Sequence, residues 1–71
     1  MFIDQEIRLR DDMPESLQRD FKILQEYFEA DDWFMFDTYF EVVEASVKAH
    51  YYAGKISIEE LNCIFRKYGI V

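Results

Sequence analysis

Along most of this chain the apolar residues recur at the spacing of helices. Leu17, Phe21, Leu24 and Phe28 follow at i, i+4, i+7 and i+11, a narrow apolar stripe, while Gln18, Arg19, Lys22, Gln25, Glu26 and Glu29 fill the other side. This pattern predicts a first helix over 13–30. Asp12-Met13-Pro14-Glu15 reads as its start, with Asp12 as cap, Glu15 completing a capping box, and Pro14 in the first turn, where its missing N–H costs nothing.

A second helix is predicted over 32–53. At about 100° per residue, Phe36, Tyr39, Phe40, Val43 and Val47 share one face, and Met35, Val42, Ala45 and Ala49 widen the apolar arc well beyond a normal stripe. Only Asp37, Glu41, Glu44 and Lys48 form a polar strip. A helix this apolar needs cover from more than one side, which places it centrally. The stripes of the two helices are offset by about 90° on a common wheel. That offset favours a break near Ala30-Asp31-Asp32, with an Asp as cap. No Gly or Pro stands there, so one long bent helix remains an alternative.

Ala53-Gly54-Lys55-Ile56 is a turn, in which Gly54 can take the left-handed conformation that closes a helix. Ser57-Ile58-Glu59-Glu60 then fits the S-x-x-E capping box. A third helix over 58–68 presents Ile58, Leu61, Ile64, Phe65 and Tyr68 inward. Gly69 follows as the residue after its cap, Ile70 is placed to touch Phe65, and Arg66 and Lys67 occupy the last turn, where the helix dipole favours cations.

The first eleven residues have a different period. Ile3, Ile7 and Leu9 share one parity and Asp4, Glu6, Arg8 and Arg10 the other, which suits a short half-buried strand. A lone strand needs a partner, so an extended arm fits as well. The expected fold is a small all-α, three-helix domain with the second helix in the middle. The arm over 1–11 lies across the bundle or pairs with its copy.

Composition narrows the picture. Seventy-one residues make one domain, and a chain this short starts with marginal stability. Cys63 is the only cysteine, which excludes a disulfide within the chain and fits a reducing compartment. No Cys/His cluster offers a zinc site, so tight packing or self-association must do the stabilising. The N-terminus lacks the features of a signal peptide, and no apolar run reaches the ~20 residues that span a bilayer. A net charge of −7 opposes anionic membranes and nucleic-acid backbones. A cytoplasmic protein without cofactor is the simplest reading.

The charge is local. Glu26, Glu29, Asp31, Asp32, Asp37, Glu41 and Glu44 lie between Ile23 and Val47 with no Lys, Arg or His among them, and they sum to the whole net charge. On helices this block divides. Glu26 and Glu29 belong to an ordinary polar face, Asp31-Asp32 mark a helix start, and only Asp37, Glu41 and Glu44 form a strip.

Residues 54–60, Gly-Lys-Ile-Ser-Ile-Glu-Glu, resemble the second half of an EF-hand loop. The oxygen-ligand positions one, three and five of that register fall on Ala49, Tyr51 and Ala53, which carry no carboxylate, so calcium would lack most of its ligands. Read as a DNA-binding helix-turn-helix, the same corner would lead with Glu59 and Glu60, where phosphates approach. His50 and Cys63 are the only base and thiol, on different helices, with no recognisable nucleophile spacing. His50 also lacks the Glu-x-x-His pattern of di-metal bundles. No catalytic, cofactor or metal residue is therefore assigned.

The remaining signal is aromatic. Trp33, Phe34, Tyr51 and Tyr52 flank the strip of Asp37, Glu41 and Glu44, and aromatics bordering charge are typical of interfaces. The expectation is a non-enzymatic interaction or regulatory module that meets a protein partner, foremost its own copy as a homodimer, around the second helix. The alternative is a mimic of nucleic-acid phosphates. Such an inhibitor or antitoxin-like protein would occupy the basic groove of a DNA- or RNA-binding partner.

Overall fold

A computed structural model describes residues 2–69. Three helices occur among the described residues: α1 (Glu15–Glu29), α2 (Trp33–Tyr52) and α3 (Ile58–Lys67). Helix α2 is central, with α1 packed along it and α3 against it. The core gathers Leu17 and Leu24 of α1, Phe36, Val43 and Val47 of α2, and Leu61 and Ile64 of α3. Leu17, Leu24, Val43 and Val47 are fully buried, as their helical phases required. A chain of rings runs through this core. Phe28 meets Phe36 at 6.3 Å, Phe36 stacks on Phe40 at 6.1 Å, Phe40 meets Tyr68 at 5.6 Å, and Tyr68 stacks on Phe21 at 5.7 Å. Contacts at these separations add to area burial, and the run joins α1, α2 and the end of α3.

All three helices close on a residue in the left-handed region. Gly54 (φ 75°) and Gly69 (φ 78°) do so as their residue type invites. The third is Asp31, at φ 56°. Its N–H donates to the Phe28 carbonyl at 3.1 Å and the Asp32 N–H to the Tyr27 carbonyl at 3.0 Å, a Schellman closure without glycine. Asp32 then caps α2, accepting from the Met35 N–H at 3.2 Å. Two adjacent aspartates thus end one helix and begin the next, and the long-helix alternative does not occur. The Ser57–Glu60 capping box forms with both reciprocal bonds, at 3.1 and 2.9 Å. The expected contact of Ile70 with Phe65 lies outside the described residues.

Three expectations need correction. Asp12 does not cap α1. The N-cap is Pro14, with no side-chain cap bond, and its carbonyl accepts from the Leu17 and Gln18 N–H groups. Asp12 is taken instead by Arg10, whose Nε and Nη2 donate to its two carboxylate oxygens at 2.9 and 2.6 Å. That bond holds the Asp12 carboxyl below its ordinary range. Glu15 accordingly opens the helix and completes no box. Second, Ile58 is half exposed. As the first residue of α3 its side chain tilts toward the helix start, past the packed turn. Burial falls to Ile56 and Leu61, at the two positions of a hydrophobic staple around the Ser57 cap.

Third, the arm forms no strand among the described residues. Its alternation is nevertheless real, since Ile3 is buried and Ile7 and Leu9 half-buried, whereas Glu6, Arg8 and Arg10 are exposed. The backbone turns at Gln5-Glu6, where the Asp4 carboxylate accepts from the Glu6 N–H at 3.0 Å. It then docks on the end of α3. The Asp4 N–H donates to the Lys67 carbonyl at 2.7 Å, and Lys67 Nζ donates to the carbonyls of Asp4 (3.1 Å) and Ile7 (2.6 Å). Phe2 lies over Gly69, where a Cβ would come within 3.0 Å of its ring.

Candidate interaction surface

Helix α2 is apolar on two sides, and only one of them is used. The inward side carries Phe36, Phe40, Val43 and Val47. The opposite side carries Phe34, Met35, Val42, Ala45, Ala49 and Tyr52, all exposed. Phe34 keeps 64% of its surface in water, Val42 59% and Tyr52 82%. Among the described residues nothing covers the broad apolar arc of the sequence from a second side. Helix α3, with ten residues, and the short arm do not reach around to it.

The residues singled out from the sequence separate on this frame. Phe34 and Tyr52 are eighteen residues, five turns, apart, so they share one line along α2 about 27 Å apart. Trp33 and Tyr51 share a second line, displaced by about 100°. Asp37, Glu41 and Glu44 lie between the two lines. Trp33 is exposed and meets Phe34 edge-on at 6.4 Å. Tyr51 is half-buried, packed against the core, with its ring 5.5 Å from that of Tyr52. Tyr51 thus belongs more to the fold than to the surface.

The strip is less negative than its letters suggest. Glu44 is half-buried and accepts from Lys48 Nζ at 3.3 Å, in the favourable Glu-before-Lys order of an i,i+4 pair. Asp37 and Glu41, about two turns and one turn before it, are exposed. In the sequence Met35 and Val42 belong to a wide apolar arc. Their heptad relation to Ala49 was the available signal that this arc is a second seam.

Two other places bear on chemistry. His50 joins the helices: Ser16 Oγ lies 3.2 Å from its Nε2, and its Nδ1 lies 2.7 Å from the Ser46 carbonyl. With Nδ1 protonated toward that carbonyl, Nε2 accepts from the serine. The pair has a nucleophile–base distance. No carboxylate orients the ring, since the third partner is the carbonyl of its own helix, and the arrangement acts as a latch between α1 and α2. Between the arm and α3 lies an open cleft of about 230 Å³, lined among others by Leu9, Arg10, Met13, Glu60 and Cys63. The hydrogen-bond partners of His50 are Ser16 and Ser46, and it does not line this cleft.

Among the described residues no group of three or more His, Cys, Asp or Glu could hold a metal ion. No helix there is long and apolar enough to cross a membrane. The chain matches no protein-family profile, no curated protein and no solved structure.

Proposed function

We propose that this protein is a small, non-enzymatic interaction module that docks a protein partner on the outer face of α2. The observation that carries this reading is the exposure of Phe34, Met35, Val42 and Tyr52 along one side of a single rigid helix. Contiguous exposed apolar side chains bordered by charge are a feature of contact surfaces, because leaving them in water without use is costly for solubility. The acidic strip beside them keeps the free protein soluble and biases the choice of partner.

Mimicry of nucleic-acid phosphates has weaker support. It needs a long line of free carboxylates, and here the line has three members, the last of which, Glu44, is paired with Lys48. The two readings respond oppositely to salt. At about 0.5 M salt charges act over only a few ångströms, so capture through carboxylates collapses while capture through an apolar face persists. The test is affinity capture from the native host with wild type and with a folded Phe34→Ser/Val42→Glu/Tyr52→Ser variant. Partners that persist at high salt and vanish with the variant support the apolar face. A folded variant that retains every partner refutes it.

A further inference from the structure

We infer that the occupant of this face is a second copy of the chain, with the two α2 helices antiparallel; the inference rests on the reading of the outer face as a docking surface. Met35, Thr38, Val42, Ala45, Ala49 and Tyr52 follow one another at alternating steps of three and four residues, and all six are exposed. That alternation is the a/d seam of a two-stranded helical pair, in which each side chain enters a hole on a facing helix. The seam runs for about 26 Å. It lies opposite the core stripe, so a helix can pack there without disturbing α1 or α3.

Side-chain size selects the direction. In the antiparallel register Met35 faces Tyr52 of the second copy, Thr38 faces Ala49, and Val42 faces Ala45. Bulky layers then stand at both ends, small ones lie between, and the helices can approach evenly. In the parallel register Tyr52 meets Tyr52 at one end, above layers of Ala49 on Ala49 and Ala45 on Ala45, which splays the pair. Phe34 sits one position before the seam, and the antiparallel pairing brings it beside Tyr52 of the second copy.

Charge selects the same direction. Glu41 and Lys48 are exposed and immediately precede Val42 and Ala49 in the seam. Antiparallel helices bring flanking positions of this type together, so Glu41 of each copy meets Lys48 of the other, twice about the two-fold axis. Parallel helices would set Glu41 beside Ser46 and Lys48 beside Ala53, with no complementary charge. The bond of Lys48 to Glu44 is an exposed pair of little energy, and an ammonium has three donors to share. Two chains of charge −7 repel at long range, so the crossed pairs set the register while the apolar seam holds it. A standard interface takes about 800 Å² from each partner, about a sixth of this chain's 4916 Å². One helix face supplies at most the lower end of that area. Trp33 lies off the seam and stays in water.

Light scattering of the full chain at rising micromolar concentration should pass from 8.7 kDa to twice that mass. Val42→Glu, at an exposed position, should stay monomeric with its helical circular dichroism unchanged. Glu41→Lys should weaken the dimer at least tenfold, and adding Lys48→Glu should restore it. Direction is read by disulfide formation in a Cys63→Ser background. Thr38→Cys mixed with Ala49→Cys should cross-link, and neither should do so alone. Two copies of position 38 stand about 16 Å apart in the antiparallel register, beyond the ~7 Å a disulfide spans. Thr38→Cys cross-linking to itself as fast as the mixture would overturn the direction, and a wild-type chain that is monomeric throughout would overturn the inference. If that monomer still loses its captured partners on Val42→Glu, the docking face stands and only its occupant is wrong. If folded Val42→Glu loses nothing, both fall.

Discussion

Asp4 and Lys67 bond to each other twice: the Asp4 N–H donates to the Lys67 carbonyl at 2.7 Å, and Lys67 Nζ donates back to the Asp4 carbonyl at 3.1 Å. The same ammonium also reaches the Ile7 carbonyl at 2.6 Å. One side chain near the end of α3 thus satisfies two backbone acceptors of the arm and fixes Ile3 over the core. Lys67→Met keeps the stem and removes the donors. It should cost about 1–2 kcal/mol in urea unfolding, as expected for charge-assisted bonds at a half-buried site. Amide exchange at Ile7 should speed up before exchange in α2 does. Equal acceleration in both segments would mean that Lys67 stabilises the whole fold and not the arm.

Asp31 is an L-residue in a conformation that suits glycine, and it is exposed. Asp31→Gly should therefore stabilise the protein by about 0.5–1 kcal/mol. Asp31→Val, β-branched, should destabilise it by more than that. The order Gly above Asp above Val in thermal midpoints checks the assignment, and any other order contradicts it. Gly54→Ala makes the reverse substitution at φ 75° with open space around the added methyl. Its cost of about 1 kcal/mol would be conformational strain alone.

Leu24 is fully buried and Val42 is 59% exposed, though both are aliphatic residues on helices that pack together. Leu24→Ala should cost about 2–5 kcal/mol, a large part of the stability of a domain this size. Val42→Ala, measured on dilute protein, should stay within about 0.5 kcal/mol of wild type. A loss at Val42 comparable to that at Leu24 would show that the outer face is already packed in the single chain.

Tyr68 is buried at the cap of α3, and burial pushes its phenol well above the ordinary value. The sign of the pH effect follows. Unfolded tyrosine releases its proton near pH 10, whereas the folded chain holds this one longer. The contribution is present in full below about pH 10 and drains away as pH rises past it. Tyr39 is shifted in the same direction, first by its hydroxyl's bond to Asp20 at 2.7 Å and then by burial. Tyr68→Phe should leave stability at neutral pH nearly unchanged and flatten its fall in alkali. Urea midpoints taken across that alkaline range decide it, and superimposable curves for the two proteins would remove Tyr68 as the cause.

Helix ends were legible wherever a residue type carries the backbone geometry with it. Gly54, Gly69 and the Ser57–Glu60 pair are of that kind. Asp31 is not, because aspartate visits the left-handed region far less often than glycine and serves as readily as an N-cap. The start of α1 was misread for a different reason. Arg10 competes for Asp12, and the outcome depends on where the arm lies. Helical phase correctly named Leu17, Leu24, Phe36, Val43 and Val47, since periodicity fixes which face turns inward. It does not fix how many neighbours a helix has, so the exposure of Met35 and Val42 could not be read, whereas that of Trp33, Phe34 and Tyr52 followed from their place beside the acidic strip. Ile3 was marked by the arm's alternation, but Met13 and Ile56 lie outside the helices, where no period marks them as core. The bond of His50 to Ser16 joins residues 34 apart in sequence, and no local pattern records it.

The junction at Asp31-Asp32 also has a kinetic consequence. Its bonds are all local, so α1 and α2 can fold into their hairpin before any distant part of the chain arrives, and local contacts of this kind form quickly. The arm must wait for Lys67, 63 residues away, and that loop carries the larger closure entropy. Substitutions at Asp31 should therefore act mainly on the folding rate and those at Lys67 on the unfolding rate. The arm would be the last piece to settle and the first to leave.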